Sequence, residues 1–152
     1  MNILYLTTHV NVGGITSYLL TLSKGFTARG HTVYVASSGG DCVLGFTSNG
    51  IVHIPIPIKT KSELNIVKLG LSLKSLTGQL GRRRIDVIHS NTRVTQVLGC
   101  FLQKFIHAPH VTTCHGFFKR RLSRRIFQFW GDAVIAISDP VREHLIFDLG
   151  VP

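Results

Sequence analysis

A chain of 152 residues, 44% hydrophobic and 16% charged, is long and apolar enough for one compact domain with its own core. Its apolar runs fall short of the roughly 18 residues that a membrane-spanning helix needs, and its N-terminus enters a strand without the cationic region and small-residue cleavage site of a secretory signal. Seventeen Lys and Arg against seven Asp and Glu give a formal net charge of +10, which predicts attraction to polyanions: nucleic acid, anionic lipid or phosphorylated substrates.

In chain order, "NILYLTT" reads as a first buried strand. Ile15, Tyr18, Leu19, Leu22 and Phe26 then follow helical spacing until Gly30 stops the helix. "TVYVASS" is a second strand, and Gly39, Gly40, Gly45, Asn49 and Gly50 make the link to a third, "IVHIPIP", mostly loop. Leu64, Val67, Leu71 and the apolar residues up to Leu80 predict a second helix, followed by the strand "DVIHS". Val94, Val97, Leu98, Phe101, Leu102 and Phe105 mark a third helix before the strand "HVTTC". A shorter helix is expected from Arg120 to Trp130, then the strand "AVIAIS", then a helix on Val141, Leu145 and Leu149 closed by Gly150. Strands alternating with helices imply parallel pairing through right-handed crossovers: an α/β fold, a doubly wound parallel sheet in a Rossmann-like three-layer sandwich. No internal repeat, low-complexity tract or interior domain boundary interrupts the pattern. The final "DLGVP" follows a helix end where a turn and another strand would be natural, so the expectation is a domain of a longer protein.

Ligands of an open parallel sheet bind beyond the carboxyl ends of its strands. That edge carries residues 9–14, 37–41, 90–93 and 115–119 and Ser138, which are rich in glycine, histidine and small polar groups. Gly13 and Gly14 are adjacent, lack the third glycine of G-x-G-x-x-G and have no acidic residue at the end of the second strand. A dinucleotide site is thereby disfavoured. Without Gly-Lys-Ser/Thr there is no P-loop either. Two readings remain: a helix N-terminus whose bare amides accept one anionic group, or a turn that needs glycine for a positive φ. His115 is placed to donate a hydrogen bond to a hydroxyl or phosphate oxygen, or else to serve as a capping or core histidine. His107 and His110 lack zinc-site spacing, so no metal site is expected, and no G-x-S-x-G elbow supports a serine nucleophile. Cys42, Cys100 and Cys114 lack C-x-x-C spacing and read as buried, reduced thiols of a cytosolic protein.

Taken together these segments resemble a known family. "GGITSYLLTLSKGFTARGHTVYV", "DVIHSNT", "PHVTTCHG" and "DAVIAISDPVREHLIFDLGVP" resemble, in order and spacing, the N-terminal domain of family 4 glycosyltransferases of the GT-B fold. The match covers nearly all the chain except residues 39–82. The resemblance implies residues 1–152 as the acceptor-side half of a retaining, metal-independent hexosyltransferase, with the C-terminal donor domain absent from this chain and the isolated domain inactive. It implies no cofactor, only a nucleotide-sugar co-substrate held mainly by the missing domain. The other partner would be a glycan or lipid-linked acceptor of cell-surface polysaccharide or lipopolysaccharide synthesis. On the same basis Gly13 and Gly14 would sit against the donor diphosphate and His115 would contact the donor sugar or its phosphate as the catalytic-site histidine. Asn91, Thr92 and Arg93 would line the acceptor side. Ser138 reads as a helix cap rather than a ligand contact.

The basic residues form two groups. Arg82, Arg83 and Arg84 precede the fourth strand, at the amino edge, and with Lys59, Lys61, Lys68 and Lys74 border the second helix as a solvated face or an anionic-lipid docking surface. Lys119 and Arg120 begin at the cleft edge as acceptor contacts, and Arg121, Arg124 and Arg125 share one helical face suited to phosphates. Phe117 and Phe118 would stack on a sugar, meet an acyl chain or pack in the core. The expected location is cytoplasmic, peripheral on the inner face of the plasma membrane. Two other functions fit the composition: a basic nucleic-acid-binding domain and a flavodoxin-like binding domain. The first lacks any recognition motif, so no nucleic acid is expected. The second lacks an acidic cluster or phosphate loop at the first strand.

Overall fold

The computed structural model describes residues 1–60, 65–81, 83–118 and 128–151. Six strands form one sheet: β1 (Asn2–Leu6), β2 (Thr32–Ser37), β3 (Val52–Pro55), β4 (Val87–Ser90), β5 (His110–Cys114) and β6 (Ala133–Ala136). Every neighbouring pair is parallel, in the order β3-β2-β1-β4-β5-β6. The helices are α1 (Gly14–Ala28), α2 (Val43–Thr47), α3 (Ile66–Leu80) and α4 (Arg93–Ile106), with α5 (Asp139–Glu143) running into a π-helical turn over His144–Asp148.

The strands alternate their apolar side chains between two cores. Ile3, Tyr5, Val33 and Val35 pack with Leu19 of α1 and Phe46 of α2. Leu4, Leu6, Tyr34, Ala36 and Ile88 pack on the other face with Leu69, Leu76 and Leu80 of α3 and Leu98 and Leu102 of α4. This is the three-layer, doubly wound sandwich that the sequence implies. A third cluster gathers Cys114, Trp130, Val141, Leu145 and Leu149. Gly30 (φ +78°) and Gly150 (φ +67°) end their helices in the left-handed region, as expected.

The glycine-rich link after β2 is mostly loop, as expected, and also contains the short α2, which buries Phe46 completely. Three expectations need correction. The buried stripe of α3 is Leu69, Ser72, Leu76 and Leu80, whereas Val67 and Leu71 are exposed. Both sets satisfy helical spacing, and packing on the sheet selects the second. On α4, Phe101 and Phe105 are exposed while Val94, Val97, Leu98 and Leu102 are buried. The last helix keeps its predicted apolar face but widens into the π-turn, where Asp148 Oδ2 lies 2.6 Å from His144 Nδ1. The helix expected from Arg120 to Trp130 falls mostly on residues 119–127, outside the described residues.

Two histidines are built into the sheet. His110 lies between Ser90 and Cys100, with its Nε2 2.8 Å from Ser90 Oγ, whose own proton goes to the Thr95 carbonyl. The His110 amide donates to Asp132 Oδ2 at 2.8 Å. His89 Nε2 lies 2.6 Å from Thr113 Oγ1. Burial pushes both rings down to about 4, with the charges of His115 and His110 adding to the effect on His89. Gly99 makes room for His110: a Cβ there would run into its Nε2 and sit 2.7 Å from Ser90 Oγ.

Gly99→Ala is therefore expected to destabilise the domain by about 1–3 kcal/mol through overpacking, measured by denaturant unfolding. The two rings also set a pH dependence. Each is held neutral when folded but protonates near its ordinary 6.5 when unfolded, so the unfolded state binds more protons between those values. Stability is complete above 6.5 and falls as the pH drops towards 4. Denaturation midpoints recorded across that window check the sign.

Candidate functional site

The strand order reverses between β1 and β4, so the segments leaving these strands part to opposite faces and open a crevice at the carboxyl edge. The β1–α1 loop is held rigid there. Thr7 N–H donates to the Ala36 carbonyl at 3.1 Å, Val10 N–H to Gly39 at 3.0 Å, and Cys42 N–H back to Val10 at 3.0 Å. Val10 is fully buried, and a Cβ on Gly40 would collide with Asn11, so the two loops meet backbone to backbone.

α1 starts from this braced loop without a side-chain cap and with no acidic residue in its first turn. By contrast, Asn65, Thr92 and Ser138 each cap their helices through a side-chain oxygen, as expected for Ser138. The first helical bond of α1 runs from Ser17 N–H to the Gly13 carbonyl at 3.0 Å, so the first-turn amides have no intrahelical acceptor. Gly13 is extended (φ 165°, ψ 169°), and Gly14 is helical. Neither is in the left-handed region, and a Cβ on either would meet nothing within 4 Å. Conformation and packing within the chain therefore do not require glycine at these positions. The positive-φ reading is removed, and access to the helix N-terminus remains.

Two hollows open side by side, sharing Thr8, His9 and Thr92. The smaller, of about 180 Å³, is lined by the glycine pair, Thr7, Asn11 and Thr16. The larger, of about 550 Å³, adds Lys59, Thr60, Arg93 and Val94. Lys59 is the site residue missed from sequence: it was grouped with the helix-bordering cations, yet it follows the third strand and so belongs to the carboxyl edge.

His115, half-buried at the end of β5, places Nε2 3.1 Å from Asn91 Oδ1 and meets the Tyr18 ring edge-on at 4.8 Å. Burial holds its ring below the ordinary histidine value. Asn91 is buried, its amide nitrogen donating to the His89 carbonyl at 3.2 Å. Thr92 exchanges hydrogen bonds with Thr95 in a capping box, which starts α4. Arg93 is only 8% exposed. Its Nη1 donates to Gln96 Oε1, and its guanidinium lies 5.2 Å from the Trp130 ring and 5.8 Å from Phe129. That cation is packed inward rather than extended towards a ligand. Phe118 joins the third core cluster, and Phe117 is exposed.

Among the described residues the cations of the predicted groups do not form one patch. Lys68 Nζ donates to the Lys59 carbonyl at 2.5 Å near the start of α3, and Lys74 follows further along the helix. Arg83 and Arg84 lie beyond its far end, Arg84 paired with Asp86 at 3.1 Å and joined through its carbonyl to Asn2. Lys61, Arg82, Lys119, Arg120, Arg121, Arg124 and Arg125 lie outside the described residues. Among the described residues no three His, Cys, Asp or Glu side chains converge on a metal-sized site, and no helix is long and apolar enough to cross a membrane. Cys42, Cys100 and Cys114 are free thiols; Cys114 is buried and pushed up to about 11, and the other two are half-buried.

Comparison with solved structures returns the same architecture. A glycosyltransferase from Rickettsia africae is 21% identical, with a TM-score of 0.81 over 99% of this chain and 40% of its own. HepE of Anabaena, solved with UDP-glucose, is 18% identical, with a TM-score of 0.76 over 99% of this chain and 41% of its own. The lipopolysaccharide outer core galactosyltransferase WaaB is 11% identical, with a TM-score of 0.73 over all of this chain and 43% of its own. The chain thus spans about two fifths of the length of these structures, and its Rossmann-like fold is that of one half of a GT-B glycosyltransferase. No curated protein sequence matches it. The model of Glycosyltransferase Family 4 matches residues 12–152, and the chain belongs to that family.

Proposed function

We propose that this chain is the N-terminal, acceptor-side domain of a retaining, metal-independent glycosyltransferase that takes a sugar from a nucleotide-sugar. The observation that carries the reading is the uncapped N-terminus of α1, with two glycines that neither backbone conformation nor packing requires. Its amides are fixed before the ligand arrives. Aimed at a diphosphate, they would stabilise charge developing on the departing nucleotide without reorganising. His115, just past the end of β5, faces the donor sugar in this reading. A second domain delivers the nucleotide, in accord with the crystal form of HepE with UDP-glucose and with the two-fifths coverage of the matched chains.

The larger hollow takes the acceptor. Lys59 and the neighbouring His9 suit an anionic or polyhydroxylated group such as a phosphorylated glycan or a lipid-linked acceptor of cell-surface polysaccharide synthesis. A membrane-borne acceptor also accounts for α3. Its outward Ile66, Val67 and Leu71 are 79%, 72% and 52% exposed, alongside Lys68 and Lys74. Apolar side chains between lysines fit an anionic bilayer surface, each cation contributing about 1 kcal/mol. The protein then works in the cytoplasm, peripheral on the inner face of the plasma membrane. Duplex nucleic acid has no comparable use for that apolar face.

In the full-length parent, Gly14→Val and His115→Ala should each lower sugar transfer at least tenfold, while the melting temperature of residues 1–152 stays within a few degrees of the unsubstituted domain. Unchanged transfer in both variants, or turnover of a nucleotide-sugar by residues 1–152 alone, would sink this division of labour. Vesicles containing anionic lipid should pellet the domain in a salt-sensitive manner. Ile66→Asp combined with Lys68→Glu should abolish that pelleting. Binding to duplex DNA in preference to such vesicles would favour the nucleic-acid reading.

A further inference from the structure

Asn91 lies between two histidines, and its side-chain amide has only one orientation open to it. Nδ2 donates to the His89 carbonyl at 3.2 Å, and a carbonyl oxygen can only accept. Turning the amide over would set Oδ1 against that oxygen. Oδ1 is therefore the atom that faces His115 Nε2 at 3.1 Å. Because Oδ1 too can only accept, the ring proton of His115 must sit on Nε2.

The surroundings leave this pair little freedom. The Asn91 backbone N–H donates to the Leu6 carbonyl at 3.0 Å, which ties it to the central strand, and the capping box of α4 begins at the next residue. His89 is held from its other end, its Nε2 2.6 Å from Thr113 Oγ1, and Tyr18 packs edge-on against His115 while its hydroxyl lies 3.3 Å from the same Thr113 oxygen. Nδ1 of His115 has no hydrogen-bond partner among the described residues.

We propose that Asn91 is a positioning residue that fixes His115 as its Nε2–H tautomer, so that His115 offers a ligand the lone pair of Nδ1 and not a proton. An ionised phosphate oxygen carries no hydrogen and gains nothing from a lone pair; a sugar hydroxyl donates to it. The hydroxyl-or-phosphate choice left open by the sequence thus narrows to a hydroxyl. This consequence rests on the reading that His115 faces the donor sugar, whereas the tautomer itself does not.

The test uses nitrogen-15-labelled residues 1–152 above neutral pH, where long-range proton–nitrogen correlations report which ring nitrogen of each histidine is protonated. His115 should be wholly Nε2–H. Asn91→Leu, which removes both bonds, should give a tautomer mixture. A proton on Nδ1 in the unsubstituted protein overturns the proposal, as does a tautomer indifferent to Asn91→Leu in a chain whose amide spectrum is otherwise native. Should Asn91→Leu not fold, the unsubstituted spectrum still decides. Addition of UDP-glucose to the full-length parent, with histidine alone labelled, separates the two layers: a shift of the Nδ1 resonance supports the hydroxyl contact. A resonance that stays put with the Nε2–H form intact overturns that contact while Asn91 keeps its role.

Discussion

β1 is the strand on which the rest of this domain depends. It pairs with β2 along one edge and β4 along the other, and its side chains alternate between the two cores, Ile3 and Tyr5 to one and Leu4 and Leu6 to the other. Because the strand order turns at this position, the segments after β1 and β4 must diverge. The crevice is thus a consequence of topology, and a helix N-terminus opens at its mouth because α1 has nowhere else to begin. The same strand supplies the Leu6 carbonyl that holds the Asn91 backbone, so the central sheet bond and the alignment of His115 share one anchor.

The electrostatics of the crevice are divided. Around the glycine pair the smaller hollow has no Lys or Arg among its described lining residues, and burial lowers the affinity of His89, His110 and His115 for a second proton. An anion there would meet oriented backbone dipoles, whose charge is partial, fixed and unable to follow the ligand away. The larger hollow next to it has Lys59 at its rim. A full charge beside one hollow and dipoles beside the other give two adjoining anion environments of different strength. In the proposed reading, that difference keeps a leaving nucleotide distinct from an acceptor.

The architecture was readable because buried parallel strands are written as short apolar runs, and six such runs alternating with helical spacing admit few topologies. Reading failed where a pattern had two solutions. Val67 with Leu71 and Leu69 with Leu76 and Leu80 both match a helix face, and only the sheet decides which face turns inward. α2 was invisible because five residues containing a glycine give no period to detect. The glycine pair was legible as a site only up to a choice between an open helix end and a positive-φ turn, which the backbone angles resolve. Asn91 and His115, 24 residues apart, meet because β4 and β5 run in register with Ser90 beside Thr112. Spacing along one chain cannot show that.

The misread face of α3 carries the last step of the argument. Folding accounts for Leu69, Leu76 and Leu80, which fill the core over β1 and β2. It does not account for Ile66 and Val67, β-branched residues of modest helix propensity left almost wholly in water at the first turn of a helix already capped by Asn65. Polar residues there would serve helix and solubility better, and local choices that run against the fold tend to mark places kept for another purpose. Lys68 Nζ bonds to the Lys59 carbonyl, which joins this apolar face to the rim of the larger hollow. In the proposed reading, a surface that receives the acyl part of a lipid-linked acceptor and a hollow that receives its polar head would have to adjoin in this way.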